Sequence, residues 1–146
     1  MNWRPHNETQ QDLDNETAAA KAIEAVWGCK ILKLSPTLYN VDWAFFRDSE
    51  LMGFGEFKRR STKTDPVILS YAKFLRGTHL ARSAGTVFIL VIQFPDGRWY
   101  CTIKEDDTFP IMLDGSRRGQ NGDMEPCVHI PLNRFKKLKN EDGSTV

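Results

Sequence analysis

The first stretch of the chain, residues 1 to about 14, is dominated by Asn, Gln, Glu and Asp and shows no apolar periodicity. From Glu16 to Trp27 the pattern changes to Ala, Glu and Lys with apolar residues at helical spacing. Asn15 offers an N-cap and Gly28 a stop, so a helix is predicted over Glu16 to Trp27. At about 100° per residue, Ala20, Ile23 and Trp27 fall within about 40° of Glu16. Glu16 therefore heads the apolar stripe, and Glu24 lies at its edge.

The next segments read as strands. A short one, Lys30 to Leu34, leads through Ser35-Pro36-Thr37 into a second, Tyr39 to Arg47, and after Asp48-Ser49-Glu50 a third runs from Leu51 to Lys58. So short a link predicts an antiparallel hairpin. Asp65-Pro66 then opens a predicted helix to roughly Ala81, with Ile68, Tyr71, Ala72 and Leu75 as its apolar face. Thr86 to Phe94 is a near-continuous Val/Ile/Leu/Phe run, as expected of a strand covered on both faces. Asp96-Gly97 predicts a turn, with Arg98 to Ile103 returning beside that strand. Lys104 to Pro126 reads as loop, Cys127 to Ile130 as a last short strand, and Pro131 to Leu138 as a closing helical turn.

This order predicts an α/β domain with a central mixed sheet flanked by helices. Residues 1–14 form a polar arm and 15–138 a single domain, made of a core at 15–94 and an appended segment at 95–138. Residues 139–146 form a polar tail. A chain of 146 residues is long enough to bury one core. No apolar run approaches the roughly eighteen residues of a membrane span, and the polar N-terminus lacks a secretory core. Three widely spaced cysteines, Cys29, Cys101 and Cys127, match neither a zinc site nor a disulfide framework and read as small buried apolar residues. A reducing, cytoplasmic location is the simplest expectation.

A net charge of +1 does not by itself announce a nucleic-acid partner, but the distribution is uneven. Lys58-Arg59-Arg60 with Lys63, then Arg117-Arg118, then Arg134 with Lys136, Lys137 and Lys139 form basic clusters. Each is also what a solvated surface looks like. His79 and His129 lack visible partners and read as surface or structural residues, and Trp43 and Trp99 as packing residues.

The segment that carries chemistry is Val41-Asp42 followed by Glu56-Phe57-Lys58. Strand side chains alternate, so Glu56 and Lys58 share a face with Met52 and Phe54, while Gly53, Gly55 and Phe57 line the other. Asp42 lies on the neighbouring strand, where the register can bring it beside Glu56. Two carboxylates so close repel each other, and a hard divalent cation is the natural remedy. Such a group suits phosphodiester hydrolysis, with Asp42 and Glu56 on magnesium, or manganese as a substitute, and Lys58 orienting water and stabilising charge.

The order of elements and the Asp…Glu-x-Lys pattern resemble the PD-(D/E)xK nuclease superfamily over Asn15 to about Phe94. Its compact archaeal Holliday-junction resolvases and related phage nucleases are the most similar. The resemblance implies a restriction-endonuclease-like core of helix, three-stranded meander, helix and strand, acting on DNA. It maps the metal-binding aspartate onto Asp42, the Glu-x-Lys pair onto Glu56 and Lys58, and an early helix-1 glutamate onto Glu16, with Glu24 as its rival. The backbone carbonyl of Phe57 would complete the metal shell. Val41 stands where the family's proline would be. Arg59, Arg60 and Lys63, after the catalytic strand, and Lys73 on the second helix are expected at DNA phosphates. Resolvases act as dimers, but no stripe here identifies a homodimer face. Two other readings stay open: a spent nuclease fold that binds DNA or protein, and an unrelated α/β domain with a structural role.

Overall fold

The computed structural model describes residues 9–34, 41–104, 106–115, 124–140 and 142–146. The sequence expectations for the Ser35-Pro36-Thr37 link, for Tyr39 and Asn40 at the head of the second strand, for Arg117-Arg118 and for most of the N-terminal arm lie outside the described residues.

Helix α1 spans Gln10–Trp27 and begins six residues before Glu16. Its cap is Thr9, not Asn15. The Thr9 hydroxyl accepts the Asp12 N–H at 3.1 Å, and the Asp12 carboxylate accepts the Thr9 N–H at 3.1 Å, a reciprocal capping box. Residues 10–14, expected as part of a polar arm, are therefore the first turns of the helix, exposed except for the half-buried Leu13. Gly28 ends it in a left-handed conformation at φ 60°, as its position predicts. Removing the cap by Thr9→Ala is expected to lower stability by about 1 kcal/mol, read from the denaturant midpoint at unchanged m-value.

Strands β1 (Lys30–Lys33), β2 (Trp43–Arg47) and β3 (Glu50–Arg59) form an antiparallel meander. A short strand β4 (Val67–Ser70) then precedes helix α2 (Tyr71–Ser83). After α2 the chain enters β5 (Val87–Phe94), which pairs parallel to β3, and β6 (Gly97–Ile103) returns antiparallel to β5. Parallel pairing needs a long crossover, and the β4–α2 segment supplies it. With β9 (Lys136–Lys137), after a single 3-10 turn at Leu132–Arg134, the main sheet has the order β1-β2-β3-β5-β6-β9.

Two sequence expectations are corrected. The predicted helix from Asp65-Pro66 starts only at Tyr71, because Val67–Ser70 pairs antiparallel with β8 (Met124–Ile130), with Val67 and Leu69 buried. Accordingly Ile68 belongs to a strand and Ala72 is exposed; α2 instead presents Tyr71, Phe74, Gly77, Leu80 and Ala81 to the core. The region expected as loop up to Pro126 holds β7 (Ile111–Gly115) and the first half of β8, and a second sheet has the order β4-β8-β7. Pro126 is tolerated there because β4 pairs only with Cys127–Ile130, so among the described residues no strand faces Pro126 on that side.

The main sheet is covered on both faces. Ala19 and Ile23 of α1 pack with Trp43, Phe45 and Val91 on one side. On the other, Phe88, Leu90 and Ile92 meet Ala81 of α2 and Leu69, Val128 and Ile130 of the small sheet. Burial of β5 on both faces accounts for its unbroken apolar run. Among the described residues, no helix is long and apolar enough to cross a membrane.

Candidate active site

The β2–β3 register ends at Trp43 opposite Gly55, one step short of Asp42 and Glu56. Beyond it the Asp42 N–H still donates to the Gly55 carbonyl at 3.0 Å, and the Asp42 carbonyl accepts the Leu34 N–H at 2.8 Å. The backbone of Asp42 is thus pinned by strands on both sides. The next β3 donor on that edge, the Phe57 N–H, is taken by the Asp42 side chain, with Oδ2 at 2.9 Å. A strand residue's N–H and C=O leave on the same edge, so the Phe57 carbonyl also faces the side of Asp42. The other edge of β3 is fixed by β5, with Glu56 opposite Leu90 and Lys58 opposite Ile92.

Among the described residues only two polar or charged residues are buried, Glu16 at 6% exposure and Glu56 at 3%. Ionisable groups are seldom buried without a partner. Both have one, and both partners are lysines. Lys73 of α2 donates to Glu56 Oε1 at 2.8 Å. Burial pushes the Glu56 carboxyl above its usual range, and the neighbouring Asp42 charge adds to that; Lys73 opposes both. Burial lowers Lys58 to about 8, with the nearby Lys73 and Arg60 charges acting the same way against Glu56 and Asp42. Perturbed groups of opposite sign gathered where the β2–β3 ladder ends, on an interior strand of the sheet, have the character of a functional centre.

Glu16 joins this group indirectly. Lys33, at the end of β1, donates to both Glu16 oxygens at 2.6 and 2.5 Å, and its ammonium lies 4.0 Å from Asp42 Oδ1. Glu24, the rival in the sequence, instead accepts the Ile31 N–H at 2.9 Å and so tethers β1 to α1. Lys33 was not legible as a site residue. Its signal is the register, since Lys33 faces Trp43 and so lies next to Asp42 across the hairpin.

The four residues expected at DNA divide. Arg59 and Arg60 are exposed at the end of β3, where the Arg60 N–H continues the ladder to the Gln93 carbonyl. Lys63 pairs with Asp96 at 2.8 Å and lies 4.2 Å from the centre of the Trp99 ring. Lys73 points into the cluster, onto Glu56. Trp43 is buried and stacks on Phe57 with ring centres 5.4 Å apart, a packing role that stiffens β3 beside the site.

No group of three or more His, Cys, Asp or Glu residues able to hold a metal occurs among the described residues. Two carboxylates and a backbone carbonyl are nevertheless the hard-oxygen set that magnesium accepts, since it keeps waters and substrate phosphate in its shell. The mutual repulsion of Asp42 and Glu56 is what such a cation relieves. The donor set fits.

The family model described as "Phage putative PDDEXK endonuclease" matches residues 2–138. Among solved structures, the chain is similar to Hjc, a Holliday junction resolvase from the archaeal hyperthermophile Archaeoglobus fulgidus. The identity is 15% and the TM-score 0.47, over 75% of this chain and 85% of that one. No curated protein matches the chain.

Proposed function

The chain belongs to the phage PDDEXK endonuclease family, and on that premise we propose that it hydrolyses DNA phosphodiester bonds with a divalent metal held by Asp42, Glu56 and the Phe57 carbonyl. The observation that carries this reading is the convergence of the Asp42 side chain with Glu56 and Phe57 at the open end of the β2–β3 ladder.

Magnesium, or manganese in its place, would polarise the phosphoryl oxygen and lower the pKa of a bound water. The chain's own residues do the rest. Asp42 is oriented by the Phe57 N–H and cannot swing away without leaving that donor unpaired. Lys58, on the Glu56 face of β3, orients the attacking water and stabilises the charge that grows on the phosphoryl oxygens. With its pKa near 8 the ammonium is mostly protonated at neutral pH, as that task requires. Arg59 and Arg60, exposed just beyond, take backbone phosphates and set the register of the duplex without reading sequence. Lys63, already paired with Asp96, contributes as part of a screened cluster. A resolvase-like preference for branched DNA rests on the element order alone.

The test is cleavage of supercoiled plasmid and of a four-way junction by wild type and Asp42→Asn, with magnesium, manganese or chelator. Wild type should cut only with metal, and Asp42→Asn should lose at least about 10²-fold in rate while still binding DNA. A junction preference would support the resolvase-like type. A second reading draws on the lysine partners of Glu56 and Glu16, which neutralise the buried carboxylates internally. A fold with a spent site would bind DNA equally well in chelator and cut nothing.

A further inference from the structure

The two carboxylates of the centre are held in the same way, each by one oxygen. Asp42 Oδ2 accepts the Phe57 N–H at 2.9 Å, and its Oδ1 is left, 4.0 Å from the Lys33 ammonium. Glu56 Oε1 accepts from the Lys73 ammonium at 2.8 Å, and among the described residues no donor reaches its Oε2. Lys73 stands in the first turn of α2, where the positive end of the helix dipole disfavours a cation and no acidic residue offsets it. Its placement is explained by Glu56, which is 4% exposed at its side chain and finds its hydrogen-bonded counter-ion there.

We infer that Lys73 is a positioning residue of this centre: by holding Glu56 Oε1 it leaves Oε2 alone to meet a divalent ion, and so favours magnesium over calcium. The inference rests on the metal-dependent reading above, and gives Lys73 a part other than the contact to DNA phosphate that the sequence suggests. A cation chelated by both Glu56 oxygens would share Oε1 with the ammonium, bringing two like charges onto one atom. A cation on Oε2 avoids this, because the ion and Lys73 are then held by different oxygens. Magnesium loses nothing by the restriction, since its octahedral shell takes single oxygens and is filled out by waters. Calcium takes about six to eight oxygens, two of them at times from one carboxylate, and is deprived of a ligand. Asp42, with Oδ2 on the Phe57 N–H, is restricted by a backbone group, so Lys73 is the side chain through which the selectivity can be changed.

Mn2+ bound to the intact chain and then displaced by magnesium or by calcium, followed by the free-ion electron paramagnetic resonance signal, gives the ratio of the two affinities. The ratio is the informative quantity, because losing a nearby charge or some stability moves both affinities together. Lys73→Met is expected to shift the ratio toward calcium by at least about tenfold, within the range that changes around a metal's ligands produce. Lys73→Arg keeps a charged donor and should hold the wild-type ratio. Thermal melts establish that each variant is folded. Infrared difference spectra of wild type on adding magnesium need no variant, and should show the wide separation of carboxylate stretches that marks single-oxygen coordination. An unchanged ratio in folded Lys73→Met, the same shift in Lys73→Arg, or the narrow separation of a chelating carboxylate in wild type would each overturn the inference while leaving the metal centre intact. No Mn2+ bound by wild type, or unaltered binding in Asp42→Asn, would instead sink the parent reading and the inference with it.

Discussion

Lys58→Met is expected to abolish cleavage, by at least about 10²-fold, and at the same time to stabilise the metal-free protein. The two effects have one origin. Lys58 lies on the same face of β3 as Glu56, and burial there lowers its pKa from the ordinary value of 10.5 to about 8. Below pH 8 the folded and unfolded chains both carry a charged lysine, and the fold bears the cost of burying it. Between pH 8 and 10.5 the folded lysine is neutral while the unfolded one is still charged. Unfolding then takes up a proton, and stability rises with pH across that window. Methionine keeps the stem volume without the charge. The variant should therefore be more stable than wild type at pH 7 in chelator, by about 1–3 kcal/mol. That range follows because each tenfold loss of proton affinity on folding is worth about 1.4 kcal/mol, discounted for residual exposure. Urea midpoints at pH 7 and pH 10 check it, and the gap should narrow at the higher pH. A variant less stable at pH 7 would mean that Lys58's contacts outweigh its burial. A residue that costs stability and returns it as activity is what a working centre contains, and a spent one has no reason to keep.

Elements whose reason for existing is local were legible in the sequence. The β5 run, the Asp96-Gly97 turn and the Gly28 stop each carry their cause within a few residues, and all three stand where expected. The strand alternation that set Glu56 and Lys58 on one face is equally local, and Asp42 came beside them through the register of a short hairpin. What failed was decided at a distance. Val67–Ser70 is apolar enough for either a helix or a strand, and β8, some sixty residues on, decides for the strand. The Thr9 cap was hidden because Thr9-x-x-Asp12 and Asn15 offer the same kind of signal, and the first turns are too polar to show a buried stripe. β7 escaped because Met112 and Leu113 stay exposed at the sheet edge, so neither face shows alternation. Lys33 carried no signal in the sequence, and Lys73 read as a contact to DNA phosphate, whereas it reaches Glu56. Their roles come from the carboxylates that α1 and β3 bury beneath them, and a burial pattern is a property of the assembled layers.

Helix α2 carries Lys73 to Glu56, and the distance at which it can do so is set four residues later by Gly77. A methyl group at Gly77 would stand 2.5 Å from the Phe88 ring, closer than carbon atoms tolerate. Phe88 cannot yield, because it is fully buried on β5 between Phe54 and Ile103. Gly77→Ala is therefore expected to push α2 outward. Alanine's helix propensity would return up to about 1 kcal/mol, but overpacking of a rigid core costs about 1–3 kcal/mol, so the net change should be destabilising. Residues four apart share a helix face, so Lys73 moves with Gly77 and its 2.8 Å contact to Glu56 lengthens. The stability effects of Gly77→Ala and Lys73→Met should then fall short of additivity, since each removes the same ion pair. Urea unfolding of the two single variants and the double variant measures this. Strict additivity would show that α2 absorbs the extra methyl without moving. A shortfall would show that the helix–sheet spacing, fixed by one missing side chain, governs the charge state of the carboxylate on which the proposed metal centre depends.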